Sequence, residues 1–393
     1  MNKTKAIANS AIVIYFIIGL EIMIMISPFA GLFYSVFNPF LLETAKYPAT
    51  RWLSSFFLPH MVVPPDNFLK FIRIMGSVLF VSGMAGFLIC AVQVYVNKFM
   101  KKGAALKGLY SVIRHPQYVM LSIAGVGLSI LWPRFLVVVL WLVMILLYYF
   151  LSKDEEKRML RNYPETYREY MDKTGMFLPK EIERLFTPLS TIGKLALFIV
   201  LSAVTIGGAF FFRDYTVEHL PIWTEANVSA LAVLPEDMAK MEHRMPDILN
   251  LEQVKSHLSE GEHYLIYFLP ANYIMQGLIA DTGGDWKLYK QHHTMSMITD
   301  WIFHPFRHLT EGHHSHPEMP GHPAHSITDG IVRRLLFLRI ENVPIDKPSD
   351  LLSINARRVP VMMLDVEIHN MNLLDFRELP QDTGWGTVPT PVF

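Results

Sequence analysis

The sequence predicts an all-α polytopic membrane domain of about five transmembrane helices over residues 1–212, followed by a small α+β extramembrane domain over 213–393. Three observations lead there. Hydrophobic residues make up 51% of the 393-residue chain, and they concentrate before about residue 212. Within that part, apolar runs alternate with charged or proline-bearing connections, and about 20 apolar residues suffice for a helix to cross the hydrocarbon. After residue 213 the pattern changes to short apolar, β-branched runs separated by polar stretches, as in a soluble domain. Lys+Arg and Asp+Glu both number 35, so no overall field draws nucleic acid or an anionic surface. The one cysteine, Cys90, lies in an apolar run and reads as a small buried hydrophobe. A disulfide framework and a Cys-type zinc cluster are both excluded.

The first apolar run, 6–37, exceeds the length of a span and lacks a small-residue cleavage site, so it reads as a retained first helix. Glu21 within it marks either a cavity or partner, or a protonated acid bonded to a neighbouring helix. Residues 38–67, with their prolines, Trp52 and a Phe pair, read as a loop lying on the membrane surface. The second span is 71–96. A strongly basic connection follows, carrying Lys98, Lys101, Lys102 and Lys107. The third and fourth spans, 118–131 and 135–151, are short and joined by Trp132-Pro133-Arg134, which predicts a tight hairpin. Residues 152–189 are charged and amphipathic. The fifth span is 191–212.

With five spans, Lys3, Lys5, the 97–114 connection and the 153–184 segment all fall on one side. The excess of basic residues makes that side cytoplasmic. The N-terminus is then inside and the 213–393 domain outside, which in a bacterium places the protein in the inner membrane with a periplasmic domain. In that domain, 235–258 reads as helical, and 263–269, 334–340 and 361–369 read as strands. Nine histidines crowd the loop 291–325: His292, His293, His304, His308, His313, His314, His316, His322 and His325. Met295, Met297 and Met319 lie among them. Such a tract reads as a solvated, weakly metal-binding loop, as a specific copper-type site or as a pH-responsive surface. No spacing fixes ligands, so no metal residue is assigned.

Two polar clusters carry the chemistry. In Arg114-His115-Pro116-Gln117-Tyr118, proline suits the first turn of a helix, which places His115 near the cap of the third span. Arg114 and the free N–H groups of that helix start suit a carboxylate or phosphate. Tyr118 puts an aromatic face within a turn of His115. The second cluster lies just past the fourth span, where Asp154, Glu155 and Glu156 precede Tyr163, Tyr167 and Tyr170. A carboxylate can accept both hydroxyls of a ribose diol, and tyrosines can pack an adenine or lie near a sulfonium. Taken singly, either cluster reads as the flanking charge of a membrane helix. Their pairing at one mouth of a short hairpin is what suits S-adenosylmethionine.

The strings GLYSVIRHPQY, DEEKRML, NYPETYREY and FLP, in that order around a short hairpin, resemble the isoprenylcysteine carboxyl methyltransferase and phospholipid methyltransferase superfamily. That pattern is Gly-x-Tyr, Arg-His-Pro-x-Tyr, two spans, a Glu-Glu pair, Tyr-x-x-Tyr and a final Pro. The resemblance covers roughly 97–180. It implies that His115, Tyr118, Glu155, Glu156, Tyr167 and Tyr170 line the cofactor pocket, with Tyr110 of the Gly-x-Tyr step among the cofactor contacts. It implies that Arg114 faces the reacting end, with Arg114, His115 and Glu155 as the catalytic set. Gly-Leu-Tyr at 108–110 replaces the common Gly-Pro-Tyr, Tyr163-Pro164 replaces a Phe-Gly step, and Met120 stands at a usually small position. No polar group is lost by these departures.

The resemblance further implies in-line transfer of a methyl group from S-adenosylmethionine to a lipophilic acceptor arriving from the bilayer. An amine or phosphate-linked acceptor needs a base, for which His115 and Glu155 are candidates, whereas a carboxylate or thiolate needs none. The expected partners are membrane lipid, a lipophilic acceptor and membrane proteins reached through the outer domain. Two other functions remain open: a family-derived non-catalytic subunit of a larger membrane assembly, and a periplasmic metal-handling protein anchored by its helices.

Overall fold

A computed structural model describes residues 40–59 except 42, 62–63, 66–100, 106–186, 190–271 and 332–379. The expected first span at 6–37, with Glu21, and the His-rich loop at 291–325 lie outside the described residues. Those described fall into two compact units that divide within one helix, after Thr216.

The first unit is helical. Helix α1 is Asn67–Phe99, α2 is Pro116–Leu131, α3 is Phe135–Asn162, α4 is Pro164–Lys173, α5 is the single turn Lys180–Glu183 and α6 is Thr191–His219. Among the described residues, three segments are long and apolar enough to cross a membrane: Asn67–Asn97, Phe135–Asn162 and Ile192–His219. With Pro116–Leu131, a shorter apolar helix, these are the described counterparts of four of the five expected spans. The 16 residues of α2 rise only about 24 Å, short of a hydrocarbon layer of about 30 Å. Pro116 stands at the first turn of α2 with His115 as N-cap, as the sequence predicts. Helix α3 runs on to Asn162 instead of ending at 151, so its charged last turns stand on the same rod as its apolar ones. Pro164 stops it, because a proline disfavours helical backbone in the residue before it.

Close approach of backbones holds α1 against α2. A Cβ on Gly83 would collide with the backbone of Met120 and Ala124, and one on Gly127 with the backbone of Phe80 and Gly76. Small residues at such positions let two membrane helices touch where lipid gives no hydrophobic drive. Leu121, Leu128, Met144 and Tyr148 then form a buried cluster between α2 and α3, flanked by Phe80 and Phe87 of α1. At the hairpin turn, Phe57 N–H donates to Pro133 O at 2.8 Å, and the Arg134 guanidinium lies 4.2 Å from the Phe56 ring centroid.

The second unit is a six-stranded sheet in sequential order, β1-β2-β3-β4-β5-β6. The strands are Ile222–Glu225, Val228–Ala232, His263–Pro270, Val332–Glu341, Arg357–Glu367 and Asn372–Glu378. All neighbours are antiparallel except β2 and β3, whose crossover carries α7, Met238–Leu249. Met241, Met245 and Ile248 of α7 bury one sheet face. Val62, Leu220, Leu351 and Leu352 cover the other. With both faces covered, β3 and β4 read as nearly continuous apolar runs, which is why the sequence revealed them. The shorter β1, β2 and β6 were not foreseen: β1 and β6 are edges with polar residues, and β2 is built of small ones. Described residues of the 38–67 loop also pack on this unit. Val62 belongs to the sheet core, Val63 N–H donates to Val233 O at 2.8 Å, and Arg51 Nη1 donates to Asn355 O at 3.1 Å. An open apolar sheet face costs more than a loop does, so the loop is drawn there.

Candidate functional site

The site begins with backbone. Gly108 has φ +63°, a left-handed conformation that glycine adopts without penalty, and it opens the 3-10 turn Gly108–Ser111. The chain then runs extended and pairs with the segment after α4. Ile113 and Gly175 form a parallel bridge. Arg114 N–H donates to Gly175 O at 2.8 Å, and His115 N–H to Met176 O at 3.1 Å. This small clamp joins the two ends of the α2–α3 hairpin.

The side chains follow. Arg114 Nε donates to Glu156 Oε1 at 2.6 Å, and its Nη1 donates to the Thr174 carbonyl and, at 3.4 Å, to that of Met171. His115 lies between two carboxylates: Nδ1 is 3.3 Å from Glu155 Oε2, and Nε2 is 3.7 Å from Glu156 Oε1. Neither approach has hydrogen-bond alignment, so both buried ring nitrogens remain without an aligned partner. Tyr118 OH donates to Glu155 Oε1 at 2.8 Å. Three rings stack in series, with centroids 5.8 Å apart for His115 and Tyr118 and 4.7 Å for Tyr118 and Tyr148. Phe177 closes on the other side of His115 at 6.0 Å.

Burial alone would depress the His115 imidazolium, but Glu155 and Glu156 outweigh it and the net shift is upward. The two carboxylates thus favour the charged form of His115. The tyrosines form the outer wall. Tyr110 OH donates to Gln117 Oε1 at 2.9 Å, and Tyr170 OH donates to Tyr110 O at 2.6 Å. The rings of Tyr167 and Tyr170 are 5.7 Å apart. Burial pushes the phenols of Tyr110 and Tyr167 up and that of Tyr170 up to about 12, so all three keep their protons.

The structure therefore brings Tyr110, Arg114, His115, Tyr118, Glu155, Glu156, Tyr167 and Tyr170 into one connected cluster. Two details differ from expectation. Arg114 is not open to a ligand anion, because a buried guanidinium requires compensation and Glu156 with two carbonyls supplies it. Tyr163 and Tyr167 do not share a helical face, because Pro164 breaks the helix between them and leaves Tyr163 exposed. Sequence reasoning missed Gln117, Tyr148, Thr174, Gly175, Phe177 and Glu183. Tyr148 had a signal: seven positions before Glu155, it lies on the same face of α3.

The donor set fits a nucleoside cofactor. The side chain of Glu155 is 35% exposed against 4% for Glu156, so Glu155 is the carboxylate a ribose can reach. His115 Nδ1, 3.3 Å from Glu155 Oε2, adds a polar atom beside it. Among the described residues no group of three or more His, Cys, Asp or Glu is arranged to hold a metal ion. Residues 99–166 match the family model described as phospholipid methyltransferase; the match ends before Tyr167 and Tyr170. No curated protein and no solved structure matches the chain. Over the segment that carries Arg114-His115-Pro116 and the paired glutamates, this chain is similar to the phospholipid methyltransferases, within the superfamily that its motifs resemble.

Proposed function

We propose that the protein is an integral-membrane, S-adenosylmethionine-dependent methyltransferase whose acceptor is a lipophilic molecule that partitions into the bilayer. The observation that carries this reading is the convergence of two clusters from opposite ends of a hairpin. Arg114 and Glu156, 42 residues apart, pair at 2.6 Å, and His115 lies against both glutamates. A cofactor of this kind supplies a methyl group on a sulfonium, already joined to a good leaving group. The protein's share is then to bind, align and exclude water.

Glu155 accepts the ribose hydroxyls, oriented by the hydroxyl of Tyr118. His115 lies between the two carboxylates, which favour its charged form. A thiolate or carboxylate acceptor needs no base. Arg114 pairs with Glu156 and aims the motif backbone. The tyrosines, protonated throughout, offer hydroxyl donors and ring faces. The clamp lies at the end of α2 and α3 away from the Trp132-Pro133-Arg134 turn, next to the basic 97–114 and 153–184 segments. This supports a cytoplasmic site, with the 217–379 unit periplasmic and the protein in a bacterial inner membrane.

The test is cofactor binding by purified protein in detergent, followed by labelling of membranes with radioactive cofactor and identification of the product. Glu155→Gln is expected to weaken binding by about tenfold or more, as loss of charge-assisted hydrogen bonds does. No saturable binding by the unaltered protein ends this reading. The closed Arg114–Glu156 pair favours one alternative, a non-catalytic subunit of a larger membrane assembly, and the same absence of binding would support it.

A further inference from the structure

We infer that Glu183, outside the family-matched segment, is a positioning residue that holds the motif backbone of Arg114 and His115 in place. The inference rests on the methyltransferase reading only where cofactor binding is its readout. Glu183 ends the single turn α5, which is capped by Pro179: the N–H groups of Ile182 and Glu183 donate to Pro179 O at 3.0 and 2.9 Å. From there the Glu183 carboxylate reaches back and accepts the Met176 N–H at 2.5 Å. Gly175, beside it, leaves no room for a side chain: a Cβ would meet the Leu178 carbonyl and Glu183 Oε2. A second tie comes from Lys180, whose Nζ donates to Met171 O at 2.9 Å, the same carbonyl that Arg114 Nη1 reaches.

The consequence runs through carbonyls. Gly175 O and Met176 O receive the N–H groups of Arg114 and His115, and Thr174 O receives the Arg114 guanidinium. The turn 174–179 is thus the template against which the motif is set, and Glu183 pins that template through the Met176 N–H. Without the carboxylate, the Met176 N–H loses a charge-assisted acceptor and the template slackens. His115 and Arg114 then lose fixed backbone partners before any contact of their own is touched.

The test uses the full chain in detergent with Glu183→Ala and Glu183→Gln, read by amide hydrogen exchange of the peptide covering 112–118 and by S-adenosylmethionine binding. Glu183→Ala is expected to speed exchange of the Arg114 and His115 amides by about tenfold, leaving β3 to β5 unchanged. It is also expected to weaken cofactor binding by about tenfold with little change in thermal midpoint. Glu183→Gln, which keeps an acceptor oxygen, is expected to restore both to within about threefold. Unchanged exchange at 112–118 overturns the inference whatever the cofactor does. So does acceleration spread evenly over the sheet, or a glutamine variant as impaired as the alanine one. If exchange responds locally while the unaltered protein binds no cofactor, the positioning role stands and the methyltransferase reading falls.

Discussion

At the scale of the residue, the two adjacent glutamates have different tasks because they have different surroundings. Glu156 is enclosed with Arg114, and removing one member of a buried pair leaves a bare charge. Glu156→Ala is therefore expected to destabilise the protein by about 3–5 kcal/mol, read as a lowered unfolding midpoint. Glu155 is a third exposed, and Glu155→Ala is expected to cost about 1 kcal/mol or less while it weakens the cofactor. His115 gives the site a pH dependence of known sign. Burial opposes its charge, the two carboxylates override that, and its folded pKa lies above the ordinary 6.5. A cation favoured in the folded state adds stability that is complete below 6.5 and lost as pH climbs through the raised value. The unfolding midpoint is expected to fall across that interval, and His115→Gln is expected to abolish the step. A midpoint insensitive to pH above 6.5 would contradict the cationic assignment.

At the scale of the element, α1 and α2 are one object. Their backbones meet at Gly83 and Gly127, where nothing larger than hydrogen fits. Gly127→Val is expected to separate them at a cost of about 1–3 kcal/mol, with loss of monodisperse protein in size-exclusion chromatography. That pairing matters for the site because α1 flanks Tyr110: its Cys90 carbonyl accepts Tyr110 OH at 3.5 Å, and Gln93 Nε2 donates to Lys107 O at 2.7 Å. Helix α3 shows what apolar patterning misses. Its hydrophobic run stops at 151, but its hydrogen-bonded ladder continues to Asn162, so the rod that crosses the bilayer also aims Glu155 and Glu156.

At the scale of the whole molecule, orientation is read from which side introduced thiols react. The chain has one cysteine, and Cys90 is 1% exposed, so introduced thiols report cleanly. In intact cells a membrane-impermeant maleimide is expected to label Glu260→Cys, in the sheet unit. Lys173→Cys, at the end of α4, is expected to react only after permeabilisation. Labelling of both from one side would rule out the topology drawn from the basic segments.

What the sequence by itself determined was local or compositional. The apolar runs among the described residues became helices because a segment in hydrocarbon must satisfy its own backbone. Pro116 started α2 because its missing N–H is harmless there, and 263–269, 334–340 and all but the last two residues of 361–369 became strands because their apolar character needs two covered faces. The two polar clusters were legible as residue types at helix ends. Only the tertiary structure decided which groups pair. It gave Arg114 to Glu156 instead of to a ligand, left Glu155 open, placed His115 between the two, and drew Gly175 and Glu183 into the site from beyond the motif. The reason is distance: helices and spans depend on neighbours a few positions away, whereas an ion pair between residues 42 apart exists only once both helices and their connecting clamp are in place.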